Sequence, residues 1–184
     1  MLAPPAIDGR VVARLYAGEI TDDGCSSAMV PDTFFCIMTG LEISNPRLRR
    51  LYETWLEKQA GKPYPARSDF DPVNDLRFIL GNLMLVDVVG GDPPDFRIRL
   101  HGSSLVVRHG YELTGKMLDE LPIPEQRDRA RQTFSTVVAT GEPLHSNRDQ
   151  LFGDRLRRYE AIVLPLSNNG ATVDMLLVGL IHHD

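Results

Sequence analysis

Two apolar runs near the end of the chain constrain its fold more than any other feature. Residues 158–166 and 172–181 flank the tripeptide Asn168-Asn-Gly170, and apolar runs on either side of Asn-Gly are typical of a β-hairpin with a type I′ turn. The second run is apolar on both faces: Val173, Met175, Leu177 and Ile181 on one, Leu176, Val178 and Leu180 on the other. Because both faces of such a strand must be covered, the chain needs a layer on each side of its sheet.

Three further segments have the pattern of strands. Residues 83–89 are apolar except for Asp87, which is typical of a buried strand. Residues 96–101 alternate, which places Phe96, Ile98 and Leu100 on one face and Arg97, Arg99 and His101 on the other. Residues 143–152 are expected to form an edge strand. With the hairpin, these segments predict a five-stranded antiparallel sheet.

The clearest predicted helix runs from Pro46 to about Ala60. Asn45 is a good N-cap, and Pro46 suits the first helical position. Its apolar stripe consists of Leu48, Leu51, Tyr52, Trp55 and Leu56. This stripe, or a partner subunit, would cover the second face of the sheet.

Two more helices are predicted by the same signals. Asp71-Pro72 begins one that closes at Gly81, with Val73, Leu76, Ile79 and Leu80 on its buried side. Pro124 begins a longer one that ends near Thr140, before Gly141. Its apolar face consists of Ala130, Phe134, Val137 and Val138.

Composition excludes several classes of protein. The net charge of −5 argues against a nucleic-acid partner, and the chain has no run of about 18 apolar residues that could cross a membrane. Asp8 and Arg10 interrupt the stretch that a signal peptide would need. Cys25 and Cys36 form neither a disulfide framework nor a zinc pattern. A cytoplasmic location is therefore expected.

The histidines do not stand in a specific metal-binding setting. His101, His109 and His145 are not part of a haem-attachment motif. The terminal pair His182-His183 is expected to belong to a polar tail rather than to a metal site. We therefore predict no metal and no cofactor.

Two polar clusters allow a catalytic or binding interpretation and a structural one. Ser103 lies near two histidines, but without a nucleophile elbow it is better explained as the cap of a short helix, 105–108. Arg67, Asp69 and Asp71 could bind an anion or a metal. Alternatively, Asp71 caps a helix while Arg67 pairs with Asp69 or binds a buried carbonyl. Because the structural interpretation is favoured in both, no enzymatic activity is expected.

The middle of the chain, residues 95–121, combines a strand, a short helix and turns at Gly110 and Gly115. This stretch resembles the middle of a PAS domain, and the whole order of elements is similar to that fold. The resemblance extends to the mostly uncharacterised alphaproteobacterial single-domain PAS family over about residues 44–182. It is carried by Pro46-Arg-Leu-Arg-Arg-Leu-Tyr-Glu-Thr-Trp55, Arg67-Ser-Asp-Phe-Asp-Pro72, Asp95-Phe-Arg-Ile-Arg-Leu100, Glu112-Leu-Thr-Gly115 and Val163-Leu-Pro-Leu166.

The resemblance implies an α+β fold, with a five-stranded antiparallel sheet, helices on one face and added N-terminal helices. Residues 1–43 would be an extension of unknown function. The flavin photochemistry of some PAS domains needs a cysteine beside the flavin, and both cysteines here precede the PAS-like part. This supports the expectation of no cofactor.

The resemblance also implies a function and a set of candidate residues. A sensory or regulatory module would bind a small molecule, a protein partner, or both; the alternative is an interaction-only adaptor or dimerisation domain with a solid core. The residues expected to line a ligand cavity are Leu100, Val106, Tyr111, Leu118, Phe134, Val138 and Leu177. A homodimer or partner surface is expected at Leu48, Leu51, Trp55, Leu176 and Val178.

Overall fold

The structure, a computed structural model, describes residues 41–152 and 155–183, and one five-stranded antiparallel sheet organises them. The predicted sheet and the predicted α+β class are confirmed. The strand order is β2-β1-β5-β4-β3. The strands are β1 (Leu83–Val89), β2 (Asp95–His101), β3 (Leu144–Phe152), β4 (Arg155–Leu166) and β5 (Met175–His183). Most of the predicted extension, residues 1–40, lies outside the described residues.

Three α-helices accompany the sheet: α1 (Pro46–Gln59), α2 (Ser103–His109) and α3 (Pro124–Thr140). Asn45 caps α1 as predicted, since its side-chain oxygen accepts a hydrogen bond from the Arg47 amide. Gly141 ends α3 in the left-handed conformation, also as predicted. The start of α1 and the end of α3 therefore lie where local capping chemistry places them.

The sheet separates two apolar clusters. On one side, α1 packs its buried residues Leu48, Leu51 and Trp55 against the sheet. Leu177 and Ile181 of β5 belong to the same buried cluster. On the other side α2, α3 and the loop between them contact Leu176 and Val178. The last strand is thus covered on both faces within one chain, and α1 supplies the second cover.

This arrangement removes the predicted dimer residues from the surface. Leu48, Leu51 and Trp55 are buried against the sheet of their own chain, and Leu176 and Val178 are buried on its opposite face. Alternation along β5 was predicted correctly, but its two faces were assigned to the wrong layers. Since both faces are apolar, the strand pattern alone cannot identify the layer that covers each one.

The second predicted helix is wrong. Residues 71–79 form a series of turns, followed by a 3₁₀ turn at Leu80–Asn82. Asp71 does cap the first turn, because its carboxylate accepts the amide hydrogens of Val73 and Asn74. After one bond from the Asp75 amide to the Asp71 carbonyl, the later bonds span only three residues. Leu76 and Ile79 remain buried, but Val73 is 64% exposed and Leu80 39%.

The closing hairpin forms, but its turn is not the predicted two-residue type I′ turn. The ladder closes at Leu166 and Met175, so a longer loop joins β4 to β5. Gly170 has positive φ, whereas Asn169 does not. The Asn169 side-chain oxygen instead accepts the amide hydrogens of Ala171 and Thr172. This side-chain capping stabilises the wider loop.

The predicted cap at Ser103 is also wrong, because Gly102 occupies the N-cap position of α2. Its amide donates to the Leu83 carbonyl at 2.8 Å. A Cβ atom at this position would lie 2.4 Å from the Gly81 carbonyl oxygen. Close approach of two backbone segments therefore requires glycine, and Ser103 begins the helix itself.

A β-bulge in β2 changes which residues face inward. Leu85 pairs with Leu100 and Val86 pairs with Ile98, so Arg99 has no partner position on β1. The extra residue reverses the alternation after Ile98. Leu100 is consequently 40% exposed, and His101 is buried. The predicted faces of Leu100 and His101 are therefore wrong.

None of the helices in the described residues is long and apolar enough to cross a membrane.

Candidate functional site

A cavity of about 260 Å³ lies between the inner face of the sheet, α2, α3 and the loop between these helices. The sheet contributes residues from every strand, and α3 contributes one face of its first turns. The lining comprises Met84, Ile98, His101, Arg108, His109, Tyr111, Leu113, Leu118, Leu121, Ile123, Gln126, Arg129, Ala130, Thr133, Phe134, Ser146, Arg148, Tyr159, Ala161, Val163, Val178, Leu180 and His182. The size fits a small organic molecule rather than a large cofactor.

Polarity changes along the strands that form the cavity wall. The row nearest the end of β5 is polar and consists of Arg148, Tyr159 and His182, which are register neighbours. The next row is Ser146, Ala161 and Leu180. Beyond it lie Val163, Val178 and Met84, with His101 at the β2 edge. The cavity therefore has one polar end and an apolar interior.

His101 is the most unusual polar group of the cavity. It is 5% exposed, and neither ring nitrogen has a hydrogen-bond partner among the described residues. The nearest carboxylate oxygen, Oε1 of Glu112, lies 3.7 Å from Nδ1, which is too far for a good hydrogen bond. Burial lowers the pKa of the imidazole below its usual value, and the Glu112 charge opposes this in part. His101 is therefore a neutral donor and acceptor that faces the cavity.

Aromatic and imidazole rings continue from His101 along the polar end. His101 stacks on His109 with a centroid distance of 5.4 Å, and His109 meets His182 edge-on at the same distance. The Nε2 atoms of His109 and His182 are 3.3 Å apart. Tyr111 packs against His109 and donates its hydroxyl to Oε1 of Gln126 on α3. This row of rings holds α2 and the following loop against the sheet.

The predicted cavity residues divide into two groups. Tyr111, Leu118 and Phe134 line the cavity, and burial raises the pKa of the Tyr111 hydroxyl. Leu100, Val106, Val138 and Leu177 do not line it. Leu100 lies beyond the bulge, and Leu177 packs on the α1 side of the sheet. That any of these residues binds a ligand stays a prediction.

Sequence reasoning missed most of the polar end. His101 was assigned to the wrong face because the bulge is set by pairing with β1. His182 was assigned to a tail, but β5 extends through His183. Arg148 and Tyr159 follow the alternation of β3 and β4 with Ser146 and Ala161, and this periodicity could have identified them.

The other candidate clusters have structural roles. Arg67 donates to the Phe70 carbonyl at 3.0 Å, as the structural interpretation predicted. Asp69 accepts the Ala66 amide, and this bond lowers the pKa of its carboxyl. Hydrogen bonds from the amides of Asn74 and Val73 lower the pKa of Asp71 in the same way. Across residues 41–152 and 155–183, no group of three or more histidine, cysteine or acidic side chains could hold a metal ion.

Glu160 connects α1 to the sheet on the side opposite the cavity. It is fully buried and accepts hydrogen bonds from the amides of Ser44 and Asn45 at 2.8–3.2 Å. Nε2 of His145 lies 2.8 Å from Oε1 of the same carboxylate. His145, one of the histidines considered as a ligand, thus forms an ion pair or hydrogen bond within the core.

The chain is similar to one known protein family and to several solved structures. A PAS domain family model matches residues 43–182, and no curated protein matches the chain. The structure is similar to the PAS domain of Bordetella pertussis BvgS, with 19% identity, coverage of 59% of this chain and 82% of that chain, and a TM-score of 0.47. It is also similar to a sensory box sensor histidine kinase from Vibrio cholerae, with 18% identity, coverage of 55% and 79%, and a TM-score of 0.43.

A third similar structure is the LOV protein of Rhodobacter sphaeroides, with 17% identity, coverage of 54% of this chain and 57% of that chain, and a TM-score of 0.41. The family model spans most of the chain and includes the whole described sheet with its three α-helices. This chain belongs to the PAS domain family, whose members generally act as sensory and signalling modules.

Proposed function

We propose that this chain is a sensory module that binds a small molecule in the cavity and signals by contact with another protein chain. The observation that supports it best is the cavity itself, whose lining includes the buried His101, and neither ring nitrogen of His101 has a hydrogen-bond partner among the described residues. A buried polar group without a partner is costly, and native proteins rarely retain one without a reason. A bound ligand would supply the missing hydrogen bond.

The alternative, an adaptor with a solid core, does not agree with the cavity. A void of about 260 Å³ exceeds the 150 Å³ or so of an engineered cavity that binds benzene. An adaptor whose only role is to dock a protein would gain stability if larger apolar side chains filled this space. The cavity therefore favours ligand binding over interaction alone.

Native mass spectrometry of the purified protein tests the proposal directly. We expect a retained small molecule, or a thermal shift with at least one compound of a metabolite screen. A ligand at 100 times its dissociation constant adds about 2.7 kcal/mol, which raises the melting midpoint by roughly 5–11 °C for a domain of this size. Protein without a retained mass and without any shift in a broad screen would refute ligand sensing.

The output of the module is also part of the proposal. We expect a signalling-protein partner, a second copy of this chain, or both, in the cytoplasm. A homodimer cannot use Leu48, Leu51, Trp55, Leu176 or Val178 without opening the core, because these side chains are buried. Light scattering at high micromolar concentration measures self-association, and a monomer throughout would leave contact with a different protein as the output.

A further inference from the structure

Among the described residues, the charged side chains that line the cavity are all cationic. Arg108, Arg129 and Arg148 contribute to its wall, and no aspartate or glutamate of the described residues lines it. The whole chain has the opposite balance, with a net charge of −5. A cationic wall on an acidic protein favours an anionic occupant, because Coulomb attraction is strongest where water is partly excluded.

Arg129 and Arg148 differ in their salt bridges from arginines outside the cavity. Arg97 and Arg131 each form a salt bridge with at least one carboxylate outside the cavity. Within the part of the chain that the structure describes, neither Arg129 nor Arg148 lies within salt-bridge distance of a carboxylate. Both side chains are half-buried. Their guanidinium groups can therefore donate paired hydrogen bonds to an acid group of a ligand.

Because His101 is neutral, it can form a hydrogen bond with a ligand without adding a further positive charge to the cavity wall. Its ring N–H can donate to an acceptor in the cavity, and its second nitrogen can accept from a hydroxyl or a water. Walls of Ile98, Val178 and Leu180 enclose the rest of the space. Such walls favour an apolar body, and they make a doubly charged group costly to desolvate.

The cavity volume limits the length of the ligand. By comparison with benzene in a cavity of about 150 Å³, a volume of about 260 Å³ accommodates roughly ten non-hydrogen atoms. We propose that the ligand is a singly charged carboxylic acid of this size, with its carboxylate at the arginine wall and its apolar body against the sheet. This inference rests on the proposed ligand-binding function and specifies its chemistry.

Three eight-carbon probes separate charge from shape. Octanoate, octanamide and octylamine are unbranched molecules with eight carbons each, but their heads are anionic, neutral and cationic. Isothermal titration of the full chain should give a dissociation constant for octanoate at least about tenfold below that for octanamide. Octylamine should show no binding. The same order should appear in the thermal shifts.

Variants identify the residues responsible. Arg148→Gln and Arg129→Gln should each weaken octanoate binding by about tenfold and leave octanamide binding nearly unchanged. Arg77→Gln is the matched control, because Arg77 is exposed and lies outside the cavity lining. His101→Phe keeps a planar ring and removes both nitrogens, so it should weaken both octanoate and octanamide.

Each outcome decides the inference. Equal affinity for octanoate and octanamide would overturn the acid class while ligand sensing stands, and octanoate binding that both arginine variants retain would overturn the placement of its carboxylate at the arginine wall. No binding of any probe, together with a retained molecule in native mass spectrometry that is not a carboxylic acid, would also overturn the acid class. If no probe binds, no molecule is retained and a broad screen gives no shift, the proposed function itself fails.

Discussion

Arg99 changes which residue of β2 faces the cavity, although its own side chain does not line it. Because Arg99 has no partner position on β1, the alternation of β2 changes phase, and His101 replaces Leu100 on the inner face. Outside, Arg99 pairs with the Asp87 carboxylate at 2.8 Å, beside a second bond from Arg97. The bulge therefore positions a buried imidazole at the edge of the cavity, where an apolar residue was expected.

The pH dependence of stability reports the burial of His101. Its pKa in the folded protein lies below the unfolded value of about 6.5. Between these two pKa values the unfolded state binds more protons than the folded state. The contribution of His101 to the free energy of unfolding is therefore fully present above about pH 6.5 and is lost as the pH falls toward the folded pKa. We expect the wild-type melting midpoint to fall relative to that of His101→Phe as the pH decreases from about 7.5 to 5.5.

The comparison with His101→Phe removes the effects of groups that both proteins share. Glu112, His109 and Tyr111 surround His101, and His145 and His183 lie near Glu160 elsewhere. These groups are present in both proteins, so the difference between the two proteins isolates His101. A difference in midpoint that does not change with pH would show that His101 titrates in the folded protein as it does in the unfolded chain.

Glu160 provides a second prediction for a single residue. Its Oε1 accepts the amides of both Ser44 and Asn45, and its Oε2 accepts the Asn45 amide again. A glutamine side chain replaces one of these oxygens with an NH2 group, which cannot accept. Glu160→Gln should therefore reduce the free energy of unfolding by about 2–3 kcal/mol, through an unsatisfied buried donor. Urea denaturation measures this, with Glu57→Gln as the control because Glu57 is exposed. Equal losses in the two variants would contradict a role for Glu160 in holding α1.

At the scale of elements, the packing of α1 against β5 depends on one close contact at Gly179. A Cβ atom at Gly179 would lie 2.6 Å from Cδ2 of Leu51 and 2.8 Å from Cδ2 of Leu48. Both leucines are fully buried, so neither has free space to move into. Glycine in the middle of β5 thus lets α1 approach the sheet closely.

Gly179→Ala should destabilise the protein by overpacking. We expect a loss of about 1–3 kcal/mol in the free energy of unfolding, because α1 or its leucines must shift. Gly91→Ala is the control, since a Cβ atom there meets nothing within 4 Å. Urea denaturation of both variants gives the comparison, and a Gly179→Ala protein as stable as wild type would show that α1 adjusts without cost.

At the scale of the whole molecule, one sheet divides the described residues into two apolar layers with different roles. The α1 layer is a cluster of buried apolar side chains, and the indole Nε1 of Trp55 donates to the Pro165 carbonyl at 2.9 Å. The opposite layer contains the cavity. A ligand in the cavity would therefore contact α2, α3, the loop between them and the inner face of the sheet, but not α1.

This division changes the expected result of charging the α1 stripe. Leu51→Glu combined with Trp55→Glu would place two carboxylates in the core, where an unpaired charge is strongly unfavourable. We expect unfolding, seen as loss of the far-ultraviolet circular dichroism of the helices and strands, rather than a folded monomer. A folded monomeric double variant of a dimeric wild type would instead assign the stripe to a dimer interface.

The sequence by itself determined the elements whose signals are local. Capping at Asn45 and Gly141, the apolar runs of the sheet strands and the two apolar faces of β5 were sufficient to predict the five strands, the longer helices α1 and α3 and the need for two layers. These features depend on neighbouring residues, so they could be inferred without knowledge of the fold. The family resemblance agrees with them, and it supplied Tyr111, Leu118 and Phe134 as cavity residues.

Only the tertiary structure decided which side of each strand meets which layer. The bulge at Arg99 arises from pairing with β1, and α1 covers one face of β5 because it fits against Gly179. The turns after Asp71 likewise replace a helix so that Leu76 and Ile79 reach the α1 layer. Each outcome depends on contacts between residues distant in sequence, which compete with local preference. His101, Arg148 and His182 therefore meet at one cavity although no local pattern connects them.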